Sequence, residues 1–282
     1  MRLPEELYFS QISLQDFVDC RKRFYLRHLS RLPWPAIEME PAMLHEHNAR
    51  MNARFHQLAH QFLLGIPIER LSATVYDPDL EHSWISFLEF LPSILGQDSR
   101  SFFSLYPEIN LNASLGERRL FARYDLLVGS PDGSLVIYIW KTLLKRPARE
   151  ELSRLLQTRV LPYLLVRAGR HFNRNQPVQP SQVELVYWFA APDKPASNPV
   201  ERFVYNDASY QTDESFLNGL VETIQRLEAG EFNRTADERR CLYCSYRSLC
   251  ERGVLAGDPF EPGVEGMAGF DLEHASPLIL ED

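Results

Sequence analysis

Apolar residues in the first third of the chain recur at intervals of three, four and seven. Leu14, Phe17, Phe24 and Tyr25 follow this spacing behind Ser13 and Asp16, a serine with an acid three residues on, which can cap a helix start. The spacing predicts a helix over 13–30, closed by Pro33-Trp34-Pro35. A second is expected over 43–64, ended by Gly65 and Pro67, and a third over 80–95. From residue 106 the pattern changes to short runs rich in aromatic and branched residues, over 106–111, 120–128 and 135–140, which read as strands. Ser130-Pro-Asp-Gly133 supplies a turn that makes the last two a hairpin. A helix of about 20 residues is expected from 149, kinked or shortened by Pro162, which lacks the N–H a helix interior needs. Strands over 183–189 and 203–205 and a helix over 213–229, stopped by Gly230, complete the pattern.

The implied class is α/β (α+β), a small mixed central sheet flanked by helices. The expected organisation is one domain over 1–252: a mainly helical part to residue 100, a sheet core over 101–210, and a last helix with a cysteine-rich segment over 211–252. A mobile acidic tail over 253–282 follows.

Composition removes other classes. The 282 residues are 45% hydrophobic and 24% charged, which excludes a disordered chain. No apolar run approaches the ~18 residues of a membrane span, and the opening MRLPEELYFS carries acids where a secretion leader is apolar, so a cytoplasmic protein is expected. The net charge of −8 argues against a nucleic-acid binder until its distribution is considered. The tail holds seven acids and no Lys or Arg, so the body keeps 31 acids against 30 bases, a charge of −1 that leaves room for a basic groove. Arg21, Lys22, Arg23 and Arg27 cluster on the first helix as candidates to line it.

Four cysteines are too few for a disulfide scaffold in a chain of this length. Cys241, Cys244 and Cys250 form Cys-x2-Cys-x5-Cys, and Cys20 lies more than two hundred residues upstream. Thiolates so spaced can wrap a zinc ion or an iron–sulfur cluster. The distant fourth would tie the chain's ends together, and the single Cys-x2-Cys pair favours the cluster without deciding the metal. His56 and His60 lie four apart in HQLAH, one residue from the zinc-protease pattern, but Gln57 replaces the glutamate that serves as general base.

In the hairpin LFARYDLLVGSPDGSLVIYIWKT, Asp125 interrupts an apolar strand and Lys141 ends the next. Residues 137, 139 and 141 share a face, so a carboxylate at 139 would stand beside Lys141 and opposite Asp125. That set can hold Mg²⁺ and orient water for phosphodiester hydrolysis. Position 139 is Ile.

Together these residues resemble the PD-(D/E)XK nuclease superfamily, in particular its RecB-like branch with a four-cysteine cluster, which includes the AddB helicase-nuclease subunit and CRISPR-associated exonucleases. The resemblance runs from about Ser10 to Cys250. SLQDFVDCRKRFYLRHL is similar to the family's opening motif, with Arg21 in place of proline. RFHQL resembles its Gly-x-x-x-His element, with Asn52 at the glycine position. IWKT is similar to Asp-x-Lys-Thr, and QTRVLPY to Gln-x-x-x-Tyr, with Leu161 at the tyrosine position and Tyr163 two residues on. The resemblance implies Mg²⁺ or Mn²⁺ on His56 and Asp125, Lys141 positioning water, and Gln157 orienting the site. It also implies a 4Fe–4S cluster on Cys20, Cys241, Cys244 and Cys250, and DNA, as single strands or ends, for substrate, with a helicase as candidate partner. Ile139 removes one carboxylate ligand. Glu108, on a neighbouring strand, is the alternative source of one. Two functions remain in view: an active DNA nuclease, and a member that has lost hydrolysis and serves as a DNA-binding or scaffold subunit.

Overall fold

Six strands form one mixed sheet in the computed structural model, which describes residues 3–4, 7–32, 40–95, 104–142, 146–190, 199–241 and 244–253. The sheet runs β1 (Phe9–Ser10), β3 (Arg118–Gly129), β4 (Leu135–Lys141), β5 (Val183–Phe189), β6 (Val200–Val204), with β2 (Ser104–Leu115) on the other side of β3. β1 is parallel to β3 and β4 to β5, and the remaining pairs are antiparallel. Strand alternation gives two apolar faces. Ile137, Ile139, Leu185 and Tyr187 join Leu14 and Phe17 of α1 (Gln11–Asp19), residues of α7 (Leu156–Ala168), and Leu217 and Val221 of α8 (Asp207–Arg226). Tyr138, Trp140, Val186 and Trp188 pack instead on α3 (Glu40–Leu63), α4 (Ile68–Ser72) and α5 (Pro78–Leu95), through Phe55, Leu58, Leu71, Trp84 and Phe87. The sheet with helices on both faces is the class that the hydrophobic pattern implied.

Two expected helices differ in form. The first begins earlier, with Ser10 as its cap and Ser13 completing the reciprocal pair, and it breaks at Cys20, whose extended backbone (φ −160°, ψ 108°) ends α1. α2 (Arg21–Phe24) and a π-helical turn over Tyr25–Leu29 continue it. The expected closing Pro33-Trp34-Pro35 and the acidic tail beyond residue 253 lie outside the described residues. The helix from 149 breaks at Leu155, not at Pro162, giving α6 (Arg149–Arg154) and α7. Gln15 of α1 accepts the Leu156 N–H at 2.9 Å and so caps the new helix start from a neighbouring element.

α8 adds a buried acid. Asp213 accepts the Tyr205 hydroxyl at 3.0 Å and faces Arg159 at 3.4 Å. Burial pushes its carboxyl up to about 6, against the lowering effects of the Tyr205 hydrogen bond and the Arg159 charge. A raised acid favours the neutral form in the fold. Stability is therefore lost as pH rises from about 4 to about 6, and at about 1.4 kcal/mol per unit the full cost above that window is about 3 kcal/mol. Asp213→Asn is expected to raise the melting temperature at pH 8 and to bring no gain at pH 4. An equal gain at both pH values, measured by thermal denaturation, would contradict the assignment.

Candidate active site

The pairing of β3 with β4 ends at Leu126 and Tyr138, one residue before Asp125, after which β4 continues alongside β5 as far as Lys141 and Phe189. At the other end of β3 the same edge is taken by β1, through Leu120 and Phe121. Asp125 therefore lies in a fork between β1 and β4. There its carboxylate replaces a missing ladder bond by accepting the Trp140 N–H at 2.8 Å through Oδ2. Its other oxygen, Oδ1, lies 3.2 Å from Nδ1 of His56 on α3. Burial alone would raise this carboxyl. The charge and hydrogen bond of His56, the Trp140 N–H and the Lys141 charge outweigh burial and hold it below the ordinary aspartate value.

Strand alternation also slips at this point. Leu120, Ala122 and Tyr124 face the α7 side, but so does Leu127, while Leu126 and Val128 face α3 and α5. The partner strand slips at the residue opposite. Ile109 and Tyr106 face α7 and Leu105 faces α5, with Glu108 between them in the left-handed region at φ 49°. The pairs Pro107–Leu126 and Ile109–Tyr124 flank Glu108 and Asp125, so the two acids stand opposite each other where both strands leave regular pleating. Glu108 meets Nδ1 of His60 at 3.0 Å and the guanidinium of Arg123 at 2.7 Å. His56 and His60, one turn apart on α3, thus each face one acid of the pair. Gln57 is turned away onto Arg54, so nothing of a zinc-protease site is assembled.

Lys141 ends β4 on the α7 side. Its Nζ donates to Gln157 Oε1 at 2.9 Å and lies 5.7 Å from the ring centre of Tyr187, with burial lowering its pKa and the Asp125 charge opposing that shift. The Tyr187 hydroxyl is 2.8 Å from the Thr158 hydroxyl. Asn52 accepts the Thr142 hydroxyl at 2.6 Å and joins α3 to the end of the Lys141 strand. Leu161 is a core residue whose carbonyl accepts the hydroxyl of Tyr124, and Tyr163 stacks on Tyr210 on another face of α7. Tyr124 and Tyr187 carried no signal as site residues in the sequence, because their places depend on strand register, and Asn52 stood out only as a departure at the glycine position of the His56 element. Ile139 is 2% exposed within the α7-side core and offers no donor.

None of the four cysteines is joined in a disulfide. Burial raises the thiols of Cys241, Cys244 and Cys250, and Cys20 raises each of them further, while at Cys244 the Tyr246 N–H and the Arg23 charge oppose the shift; Cys20 therefore lies in the neighbourhood of the other three. Around them the chain ends interlock: Phe232 packs on Phe17, Phe24 and Tyr25, Arg240 pairs with Asp19, and the Tyr246 hydroxyl donates to the Leu32 carbonyl. Arg23 and Arg27 belong to this clasp. Arg23 pairs with Asp16 and Asp19 and Arg27 with Asp16, which also meets His28 at 2.9 Å. Arg21 and Lys22 lie over the rings of Phe17 and Tyr25.

A model of the PD-(D/E)XK nuclease superfamily matches residues 8–251. The chain belongs to that superfamily. Two solved structures resemble it. The crystal structure of SSO0001 is 16% identical, with 88% of each chain covered and a TM-score of 0.41. A "Putative exonuclease" from Eubacterium rectale is 13% identical, with 93% of this chain and 97% of that one covered and a TM-score of 0.49. No curated protein matches the chain.

Nucleases of the superfamily use divalent metals. At the fork, Asp125 with its amide-held carboxylate and the His56 imidazole are the pair of oxygen and nitrogen donors that a divalent cation would meet, while Glu108 and His60 form a separate pair. Cys20, Cys241, Cys244 and Cys250 are the side chains chemically suited to a thiolate-bound centre. Away from the fork, His47, Asp77 and Asp79 also converge. There Asp77 accepts the N–H groups of Asp79 and Leu80 at the positive end of α5, a setting that disfavours a cation.

Proposed function

We propose that this chain is a metal-dependent DNA nuclease that hydrolyses phosphodiesters at ends or in single strands, with a 4Fe–4S cluster clasping the chain's two ends. The observation that carries the reading is the Asp125–His56 pair and the Lys141–Gln157 pair flanking the fork where β4 leaves β3, near enough for the Asp125 and Lys141 charges to act on each other. Asp125 and His56 would hold Mg²⁺ or Mn²⁺, which supplies charge stabilisation to a phosphoryl group and lowers the pKa of an attacking water. The protein's own part is positioning. The Trp140 amide fixes the Asp125 carboxylate so that Oδ1 faces His56. Gln157 and the Tyr187 ring hold the Lys141 ammonium, a donor able to orient water or offset negative charge developing on the phosphate.

DNA is the substrate that superfamily membership implies. Arg21 and Lys22 are the phosphate contacts of this reading, since Arg23 and Arg27 are occupied by Asp16 and Asp19. Cys20, Cys241, Cys244 and Cys250 would hold the cluster. A cytoplasmic setting belongs to this reading, and a helicase is the partner class the resemblance suggests.

The test uses cluster-loaded protein with Mg²⁺ or Mn²⁺ and end-labelled single- and double-stranded DNA. Degradation that chelator stops and rising salt weakens is expected. DNA left intact with both metals overturns the reading. Buried Ile139 favours the second reading, a subunit that binds DNA without cutting it. Activity that appears only in Ile139→Asp would establish that reading in place of the first.

A further inference from the structure

One half of one face of the sheet is uncovered among the described residues, and that half runs into the fork. Leu120, Ala122 and Tyr124 of β3 and Leu111, Ala113 and Leu115 of β2 belong to the α7-side core, so the residues between them turn to the side that α3 crosses. There the pairs Arg123–Asn110, Phe121–Asn112 and Arg119–Ser114 form a patch whose members are exposed, except for half-buried Phe121. The apolar layer of α3, α4 and α5 meets β3 at Leu126 and Val128, on the far side of Asp125, and Phe121 belongs to neither apolar core. Arg119, Phe121, Arg123 and Asp125 follow one another at every second position, in steps of about 6.7 Å. The row therefore covers about 20 Å and ends on the carboxylate that faces His56.

The patch carries charge of one sign. No Asp or Glu occurs over 109–116 or 118–124. Glu117 stands in the turn at the far end, and Glu108, at the fork, is paired with Arg123 and His60. Arg119 donates to the Asn112 side chain and Arg123 to Glu108, but a guanidinium has five N–H donors, so both exposed groups keep donors for a phosphate. Tyr8 adds a second ring. It is 60% exposed, and because Phe9 lies beside Leu120 in the α7-side core, strand alternation puts Tyr8 on the open side. A solvated sheet face needs neither a single sign of charge nor aromatic rings outside both cores. We infer that this face is the path by which a single strand of DNA enters the fork, with Arg119 and Arg123 on its phosphates and Phe121 and Tyr8 stacked on its bases. Stacking of this kind needs unpaired bases and accepts any base, since each has a π-face. The inference rests on the DNA substrate of the nuclease reading and deepens it.

The test is binding of a fluorescent oligothymidylate to the full, cluster-loaded chain without added divalent metal, read by anisotropy over a range of salt. The parent is expected to prefer this single strand to a duplex of the same length by about 10-fold or more. Phe121→Ala is expected to weaken binding by about 5- to 100-fold, the loss of one stacked base, and Phe121→Tyr to keep the parent affinity. Arg119→Gln is expected to lower the slope of log affinity against log salt by about 0.7, one phosphate contact on a single strand. If circular dichroism shows that Phe121→Ala does not fold, Arg119→Gln, at an exposed position, decides through its slope. Parent affinity and slope in both variants overturn the inference, and DNA degradation by the same proteins with Mg²⁺ or Mn²⁺ then leaves the nuclease reading standing. Duplex bound as tightly as the single strand also overturns the inference. A parent that binds single strands through Phe121 and Arg119 but cuts nothing supports the path and overturns hydrolysis. A parent that neither binds nor cuts DNA overturns both.

Discussion

Lys141→Ala is expected to slow DNA degradation by about 10³-fold while leaving the melting temperature unchanged or slightly higher. The two effects separate because burial is the largest influence on this ammonium. It lowers the Lys141 pKa, and the Asp125 charge recovers only part of the loss. A lysine with a depressed pKa costs the fold stability at any pH low enough to keep it charged, so its removal relieves that cost. What the variant loses is a donor in one place. Gln157 holds Nζ from α7 and Tyr187 lies beneath it. An arginine at the same position, with its longer planar fork, would not reproduce that geometry and should recover little activity. Rates on labelled DNA, measured beside thermal denaturation, check both halves. Full activity in Lys141→Ala would remove the lysine from the chemistry. An equal collapse of stability and rate would make its role structural.

The sequence was most legible where one residue type has one reason to be present. The change from helical spacing to strand runs near residue 106 placed β2, β3 and β4, and Ser130-Pro-Asp-Gly133 placed the hairpin turn. Asp125 and Lys141 stood out because a charge in an apolar strand calls for a partner, and the fork supplies one to each. What stayed hidden depends on register. That Glu108 stands opposite Asp125 follows from strand pairing, and its positive φ breaks a pattern that a regular strand would continue. Tyr187 lies beneath Lys141 only because β5 runs parallel to β4 with Ile139 beside Tyr187. The two helix breaks were missed because their causes are tertiary. Leu155 ends α6 where Gln15, 141 positions before Leu156, caps the next helix, whereas Pro162 fits inside α7 without ending it. Arg23 and Arg27 read as surface cations by spacing, yet Asp16 and Asp19, on the preceding helix, take them into the clasp.

Cys20→Ser is expected to cost the protein both its cluster and up to about 5 kcal/mol of stability. The second figure comes from chain entropy. Tying residue 20 to residue 241 closes a loop of 221 residues, and a covalent-type link over that span restricts the unfolded chain by about 5 kcal/mol in the loop-closure model. That value is a ceiling, because the same two ends are also joined by Phe232 on Phe17 and Phe24, by Arg240 on Asp19 and by Tyr246 on Leu32. These contacts remain in the variant and keep part of the clasp. Without a metal, burial and mutual repulsion hold Cys241, Cys244 and Cys250 in their protonated form. Binding a centre must then release protons, and assembly should weaken as pH falls. Visible absorbance, metal content and the denaturant midpoint, measured together on parent and variant, give the answer. A brown parent with about four irons, and a colourless, less stable Cys20→Ser, are expected. A colourless parent carrying one zinc would replace the cluster with a zinc site. A variant that keeps full absorbance and an unchanged midpoint would remove Cys20 from the centre and leave the chain's ends joined by side-chain packing and ion pairs alone.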